Sequence, residues 1–405
     1  MDMAFVEGGV TAPKGFLAAG VHCGIKKYKK DLALIYSEVL ATAAGVFTTN
    51  KVKAAPVMIT MENLCDGKIQ AIVANSGNAN ACTGERGLKD AREMAELAGK
   101  KLGLNPRNVA VASTGVIGVY LPMDKIRRGI EWCAESLSAG GSSDAALAIM
   151  TTDTFKKEMA VKLSIAGEEI TIGGIAKGSG MIHPNMATML CFITTDASIE
   201  ERALKKALKD ATKKSFNMIS VDGDTSTNDM VVIMANGLAK NHTIAEGTKE
   251  YELFYSGLER ICIEFAKMIA RDGEGATKFV EITVKNAKDE ESAVKAARAI
   301  SKSCLVKTAI FGEDANWGRV MCAVGYSGID LNPDLVDIYI SSKGRELMLA
   351  ENGSGVEFSE EEAKKILSEK EIKITVDLKQ GGYSATAWGC DLSYDYVKIN
   401  GSYRT

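Results

Sequence analysis

Apolar residues along this chain recur with two periods, and the period switches often. Residues 68–74 alternate and then become continuously apolar, as a strand does on entering a core. Residues 75–81 are small and polar. A helical pattern follows, with Leu88, Ala91, Met94, Leu97, Ala98 and Leu102 at three- and four-residue spacing and a stop before Pro106. A second unit repeats the sense: a strand over 108–112, a glycine-containing turn over 113–118, a helix over 123–137. Residues 31–37 and 44–49 read as separate short strands, and 6–16 as a loop. Residues 159–165 and 169–173 alternate around Ala166 and Gly167, which predicts a hairpin. A strand over 188–195 comes next, then an amphipathic helix over 201–216 and a strand over 230–235. A long helix over 251–271 carries Phe254, Leu258, Ile261, Phe265 and Met268 at core spacing.

From Phe279 the alternation tightens. Strands are expected near 279–285, 304–309, 335–341, 371–378 and 383–389, with helices near 289–301, 317–325 and 359–368. We place a domain boundary near residue 280, giving domains of 1–280 and 281–405. Strands and helices mixed with antiparallel hairpins predict a layered α+β or mixed α/β architecture rather than a purely parallel sheet.

Composition changes this picture little. A chain of 405 residues exceeds one ordinary core, so more than one domain is expected. A net charge of −3 gives no electrostatic reason for nucleic-acid binding. The basic run from Lys26 to Lys30 reads as a solvated turn before a strand. Nine cysteines without paired or metal spacing suit a reducing compartment. No apolar run reaches the length of a membrane span, and no charged-then-apolar leader opens the chain. A soluble, cytoplasmic protein is expected.

Candidate chemistry is narrow. Three histidines, His22, His183 and His242, lie far apart and cannot build a four-ligand metal site. No phosphate-cradling loop of the usual spacing occurs. The loop over 176–192 stands out instead. Gly178 and Gly180 loosen its start, Pro184 stiffens its middle, and Ala187 and Thr188 lie at the entry to an apolar strand. A threonine hydroxyl can attack the carbonyl before it, and after hydrolysis its own amine can serve as base. A threonine opening a strand is also what β propensity alone would place there. Thr114 and Gly115, at a strand-to-helix turn, could donate to an oxyanion or simply cap a helix. Lys177 and Glu274 sit in glycine-rich loops, where side chains often serve binding.

These blocks together resemble the glutamate N-acetyltransferase/ornithine acetyltransferase (ArgJ) family. The most specific stretch runs from Lys177 through Gly178, Met181, His183, Pro184, Asn185, Ala187 and Thr188 to Leu190. Supporting blocks are 75–80, 113–118, 222–229, 271–278, 312–319 and the terminal 400–405, so the resemblance spans the chain. It implies an ArgJ/DmpA-like α-β sandwich with a smaller C-terminal α/β domain, cut by itself between Ala187 and Thr188. It implies Thr188 as nucleophile, Thr114 and Gly115 as oxyanion hole, and Thr151, Lys177, Thr188, Glu274, Asn400 and Thr405 as substrate-binding positions. The implied reaction moves acetyl from N2-acetylornithine to glutamate through an acetyl-threonine, with no metal or organic cofactor. Some members of the family also take acetyl-CoA. The implied assembly is a heterotetramer, two fragments of each kind, with small-molecule substrates as its other partners and neither nucleic acid nor membrane. A self-processing amidase or aminopeptidase of the same architecture is the alternative enzyme. An amino-acid-binding regulator is the non-enzymatic alternative, and it would keep the chain intact.

Overall fold

The computed structural model describes residues 3–183 and 189–402, and Pro184 to Thr188 and Tyr403 to Thr405 lie outside them. Among the described residues sixteen strands, numbered in chain order, form two sheets. The first contains β1 (Met3–Val6), β2 (Phe16–Val21), β3 (Leu32–Phe47), β4 (Lys68–Asn78), β5 (Val109–Val116), β6 (Lys157–Ile165), β7 (Glu168–Lys177) and β8 (Leu190–Thr195). β9 (Ile219–Ser220) belongs to the other sheet, and β10 (Met230–Ala235) completes the first. The strand order is β1-β6-β7-β8-β10-β3-β4-β5, with β2 paired to β3. β8 lies antiparallel to β7 and parallel to β10, with Leu190 beside both Lys177 and Met230.

Both faces of this sheet are covered, which is why its central strands β8 and β10 are buried at every position and largely apolar. On β8, Cys191 and Ile193 face one core and Leu190 and Phe192 the other. The helices Glu201–Lys214 and Lys249–Arg271 cover the first face, and the helix Ser142–Ile149 the second. At the β3–β4–β5 end of the sheet, the helices Gly84–Leu102 and Met123–Glu135 cover Leu32, Leu34, Ala71 and Val73.

The second sheet adds β11 (Phe279–Ala287), β12 (Asp337–Ser342), β13 (Arg345–Glu351), β14 (Ser354–Gly355), β15 (Glu371–Asp377) and β16 (Tyr383–Cys390), in the order β14-β13-β12-β15-β11-β16-β9. One apolar core runs from Phe254 and Phe265 on the long helix through Phe279 and Ile300 to Ile374 and Trp388. The long helix is therefore shared by both sheets.

Several expectations change. Residues 31–37 and 44–49 belong to one strand, β3, bent by a register shift between Tyr36 and Ala41 that turns Glu38, Val39 and Leu40 outward. Residues 304–309 form the helix Cys304–Phe311 instead of a strand. Ser303 caps it by accepting from the Val306 N–H, and a short apolar run has no period strong enough to decide between the two. Phe16 starts β2 rather than ending a loop. Of the basic run, Tyr28 is exposed as expected, but Lys26 lies over Gly77 and donates to the Met150 carbonyl at 2.9 Å. Burial lowers its ammonium to a pKa of about 8. Among the described residues no helix is long and apolar enough to cross a membrane.

Candidate active site

A cavity of about 260 Å³ opens where the ends of β5, β7, β8 and β10 meet the loops over 151–152 and 222–229 and the segment after the long helix. Thr114, Gly115, Thr151, Lys177, Glu274 and Asn400 all line it. Met189 and Leu190, which follow Thr188 in the chain, also line it. Ala187, Thr188 and Thr405 lie outside the described residues.

One wall is neutral. Gly115 holds φ near +132°, and a Cβ there would stand 2.4 Å from the backbone of Gly77, so the turn requires glycine. Behind it the Ser113 hydroxyl donates to Asn75 Oδ1 at 2.6 Å, and the Asn75 amide donates to the Asn78 carbonyl at 2.9 Å. The Asn228 amide donates to the carbonyls of Ala79 at 2.5 Å and Ser113 at 2.9 Å, and its oxygen accepts from Thr227 at 2.6 Å. Amides and hydroxyls thus fix the Thr114-Gly115 backbone to the 227–229 segment. Such a turn can aim an N–H and a hydroxyl at a developing oxyanion.

The opposite wall is charged. Lys157 is fully buried, and its ammonium bonds Asp153 at 2.7 Å and Asp272 at 2.5 Å. Asp153 also accepts from the Gly178 N–H at 2.9 Å and the Thr151 N–H at 3.1 Å. Asp272 accepts from the Thr154 hydroxyl and N–H. A single buried cation thereby ties together the segments that carry Thr151, Lys177 and Glu274. Burial pushes the Asp153 carboxyl up, but the charges of Lys157 and Lys177 outweigh it and hold the group below its usual range. Burial lowers the Lys177 ammonium, with Asp153 and Asp229 pulling back. That ammonium donates no hydrogen bond to any described residue, which leaves it free for a carboxylate.

Glu274 accepts from the Thr152 hydroxyl at 2.7 Å and the Asn400 amide at 2.8 Å. It packs against Gly180, where a Cβ would stand 2.3 Å from its carboxylate. Between Lys177 and the end of the described loop, Ser179 and Met181 take positive φ without being glycine. Such backbone persists only when its surroundings enforce it. Here Asp222 accepts from the N–H groups of Met181 at 2.6 Å and Ile182 at 2.9 Å. His183 is clamped between Ser220 Oγ and the Arg298 guanidinium, each at 3.2 Å. Burial, then the charges of Arg298 and Lys302, lower its pKa to about 4. The Arg298 donor makes Nε2 the acceptor, so Nδ1 carries the proton and donates to Ser220.

Sequence reasoning missed Thr152, Asp153, Lys157, Asp272, Asn228 and Asp229. Asp272 falls within the 271–278 block and Asn228 and Asp229 within the 222–229 block, but neither block assigns them a role. Lys157 gave one usable signal: a lysine at the head of an alternating strand whose neighbours face a core.

A family model described as the ArgJ family matches residues 17–405. A protein of Caldanaerobacter subterraneus subsp. tengcongensis named arginine biosynthesis bifunctional protein ArgJ is 60% identical over 403 residues, all of both chains. Proteins of the same name from Symbiobacterium thermophilum and Thermotoga neapolitana are 57% and 58% identical. They cover 100% and 97% of this chain, and 100% and 99% of their own lengths.

Proposed function

The chain belongs to the ArgJ family, and we propose that it moves an acetyl group from N2-acetylornithine to glutamate, giving ornithine and N-acetylglutamate. The observation that carries this reading is the pairing of Lys177 and Glu274 across one cavity that also presents Thr114 and Gly115. An amino-acid substrate bears a carboxylate and an ammonium, and the site offers a cation that donates to none of the described residues for one and a buried anion for the other. Thr188 is the nucleophile, freed when the chain cuts itself after Ala187, and its own amine takes the hydroxyl proton. Thr114 and Gly115 stabilise the oxyanion. Thr151, Asn400 and Thr405 complete the substrate contacts. Two acyl-transfer steps replace one difficult transfer.

No metal or organic cofactor takes part. The curated relatives are named bifunctional, which supports acetyl-CoA as a second acetyl donor. The enzyme works in the cytoplasm as a heterotetramer of two fragments of each kind, built on domains of 1–280 and 281–405.

Intact mass tests the centre of this reading. Cleavage divides 43.2 kDa into pieces of about 20 and 23 kDa when apportioned by length. Thr188→Ala should abolish cleavage and turnover, and a variant still cut after Ala187 would sink self-processing by Thr188. A hydrolase would release ornithine from N2-acetylornithine at a rate indifferent to glutamate, whereas a transferase needs the acceptor.

A further inference from the structure

β8 and β10 run parallel and level, with Leu190 beside Met230. Met189 and Asp229, the residue before each strand, therefore lie side by side at the cavity wall, and the Met230 N–H donates to the Met189 carbonyl at 3.0 Å. Asp229 is 3% exposed, yet its Oδ2 has no hydrogen-bond partner among the described residues. Leaving a buried acceptor unmet is costly, and an orphan of this kind in a cavity wall calls for a reason. Two other carboxyls of the wall, half-buried Asp222 and buried Glu274, are occupied. Asp222 takes the N–H groups of Met181 and Ile182, and Glu274 takes Thr152 and Asn400.

We propose that Asp229 is the acid and base for the substrate amine, a role separate from that of the threonine amine. This rests on the acetyl-transfer reading above. In the first half-reaction the Thr188 hydroxyl adds to the acetyl carbon and its proton passes to the threonine amine. The C–N bond breaks, and the leaving nitrogen takes a proton from the Asp229 carboxyl. The acetyl-enzyme then holds an ammonium and a carboxylate. In the second, the neutral amine of the acceptor adds to the acetyl carbon and returns its proton to Asp229. The C–O bond breaks, and the threonine oxygen recovers its proton from the ammonium, so both groups end as they began. Burial supports the starting state: it pushes the Asp229 carboxyl well above the ordinary range, against the pull of Ser226 and Lys177.

The test is Asp229→Asn, which keeps the shape of a neutral carboxyl, compared with the unaltered enzyme on two donors. N2-acetylornithine must protonate its leaving nitrogen, whereas 4-nitrophenyl acetate expels a phenolate that needs no proton. Acetyl-enzyme formation is followed by mass. With N2-acetylornithine the variant should lose about 10²-fold in rate, the range of a general acid, and with the aryl ester less than about threefold. Glutamate should also discharge the ester-loaded variant about 10²-fold more slowly. An unchanged rate with N2-acetylornithine overturns the proposal. So does an equal loss with both donors, including the loss that follows a failure to fold or cleave. If the unaltered enzyme accepts the aryl ester but takes no acetyl from N2-acetylornithine, the acetyl-transfer reading fails instead, and the proposal with it.

Discussion

The two walls of the cavity are built from opposite materials. Behind Thr114 and Gly115 stand Asn75, Ser113, Thr227 and Asn228, which bind one another without a formal charge. Behind Lys177 and Glu274 stand Lys157, Asp153 and Asp272, fully ionic and almost fully buried. The neutral wall fixes backbone dipoles, whose direction must not change with pH or with the charge of a passing substrate. The ionic wall holds two opposite charges in a low-dielectric pocket, and only further charges can compensate that burial. The division of labour is between aiming and charge-matching.

Lys157→Met attacks the ionic wall at its single hinge. It strands Asp153 and Asp272 without their cation, and breaking a buried pair in this way costs about 3–5 kcal/mol. Urea unfolding measures it, and a loss under about 1 kcal/mol would mean that the ionic wall carries no structural weight. Asn228→Ala attacks the neutral wall and should cost less, about 2–3 kcal/mol, because two carbonyls and one hydroxyl lose a partner but no charge is exposed. A neutral-wall loss larger than the ionic one would reverse the comparison.

The smallest effect is one of pH, and it arises at His183, outside both walls, between Ser220 and Arg298. His183 has a folded pKa near 4, lowered from 6.5. Below 6.5 the unfolded chain therefore binds more protons than the folded one. Stability falls as pH drops from about 6.5 to about 4 and levels out beneath. The full shift would be worth about 3 kcal/mol, and partial exposure reduces that to about 1–2 kcal/mol. His183→Gln should flatten unfolding free energy across this window, and an unchanged slope would assign the titration elsewhere.

How much of this was legible in the sequence follows from where each signal lies. Gly115 was readable because a turn between strand and helix demands a residue free to take positive φ. Lys177 and Glu274 were readable because glycine-rich loops have few packing reasons to hold charges. The apolar centres of β8 and β10 were readable because strands covered on both faces lose their alternation. Lys157 was not readable as a hinge, since one partner is four residues away and the other 115. Only the fold brings the second one near. Nor could spacing tell that β3 is one bent strand, because its bulge breaks the period where two strands would have ended. Asn228 and Asp229 were visible as a polar block, but the free oxygen of Asp229 is a fact about packing and has no trace in the chain.

The strand order has a consequence for the proposed cut. The strands numbered before position 187 supply both flanks of the first sheet, β1, β6 and β7 on one side and β2 to β5 on the other. The strands after it supply the middle, β8 and β10, hydrogen-bonded outward to β7 and to β3. A cut between 187 and 188 would therefore leave a wedge of one polypeptide driven between two plates of another, hydrogen-bonded to both along β7 and β3. Severing the chain there would change its chemistry without loosening its body. The two pieces should travel as one particle through gel filtration and separate only in denaturant. Neither piece alone would have neighbours for its innermost edges, so the sheet should close before any such cut.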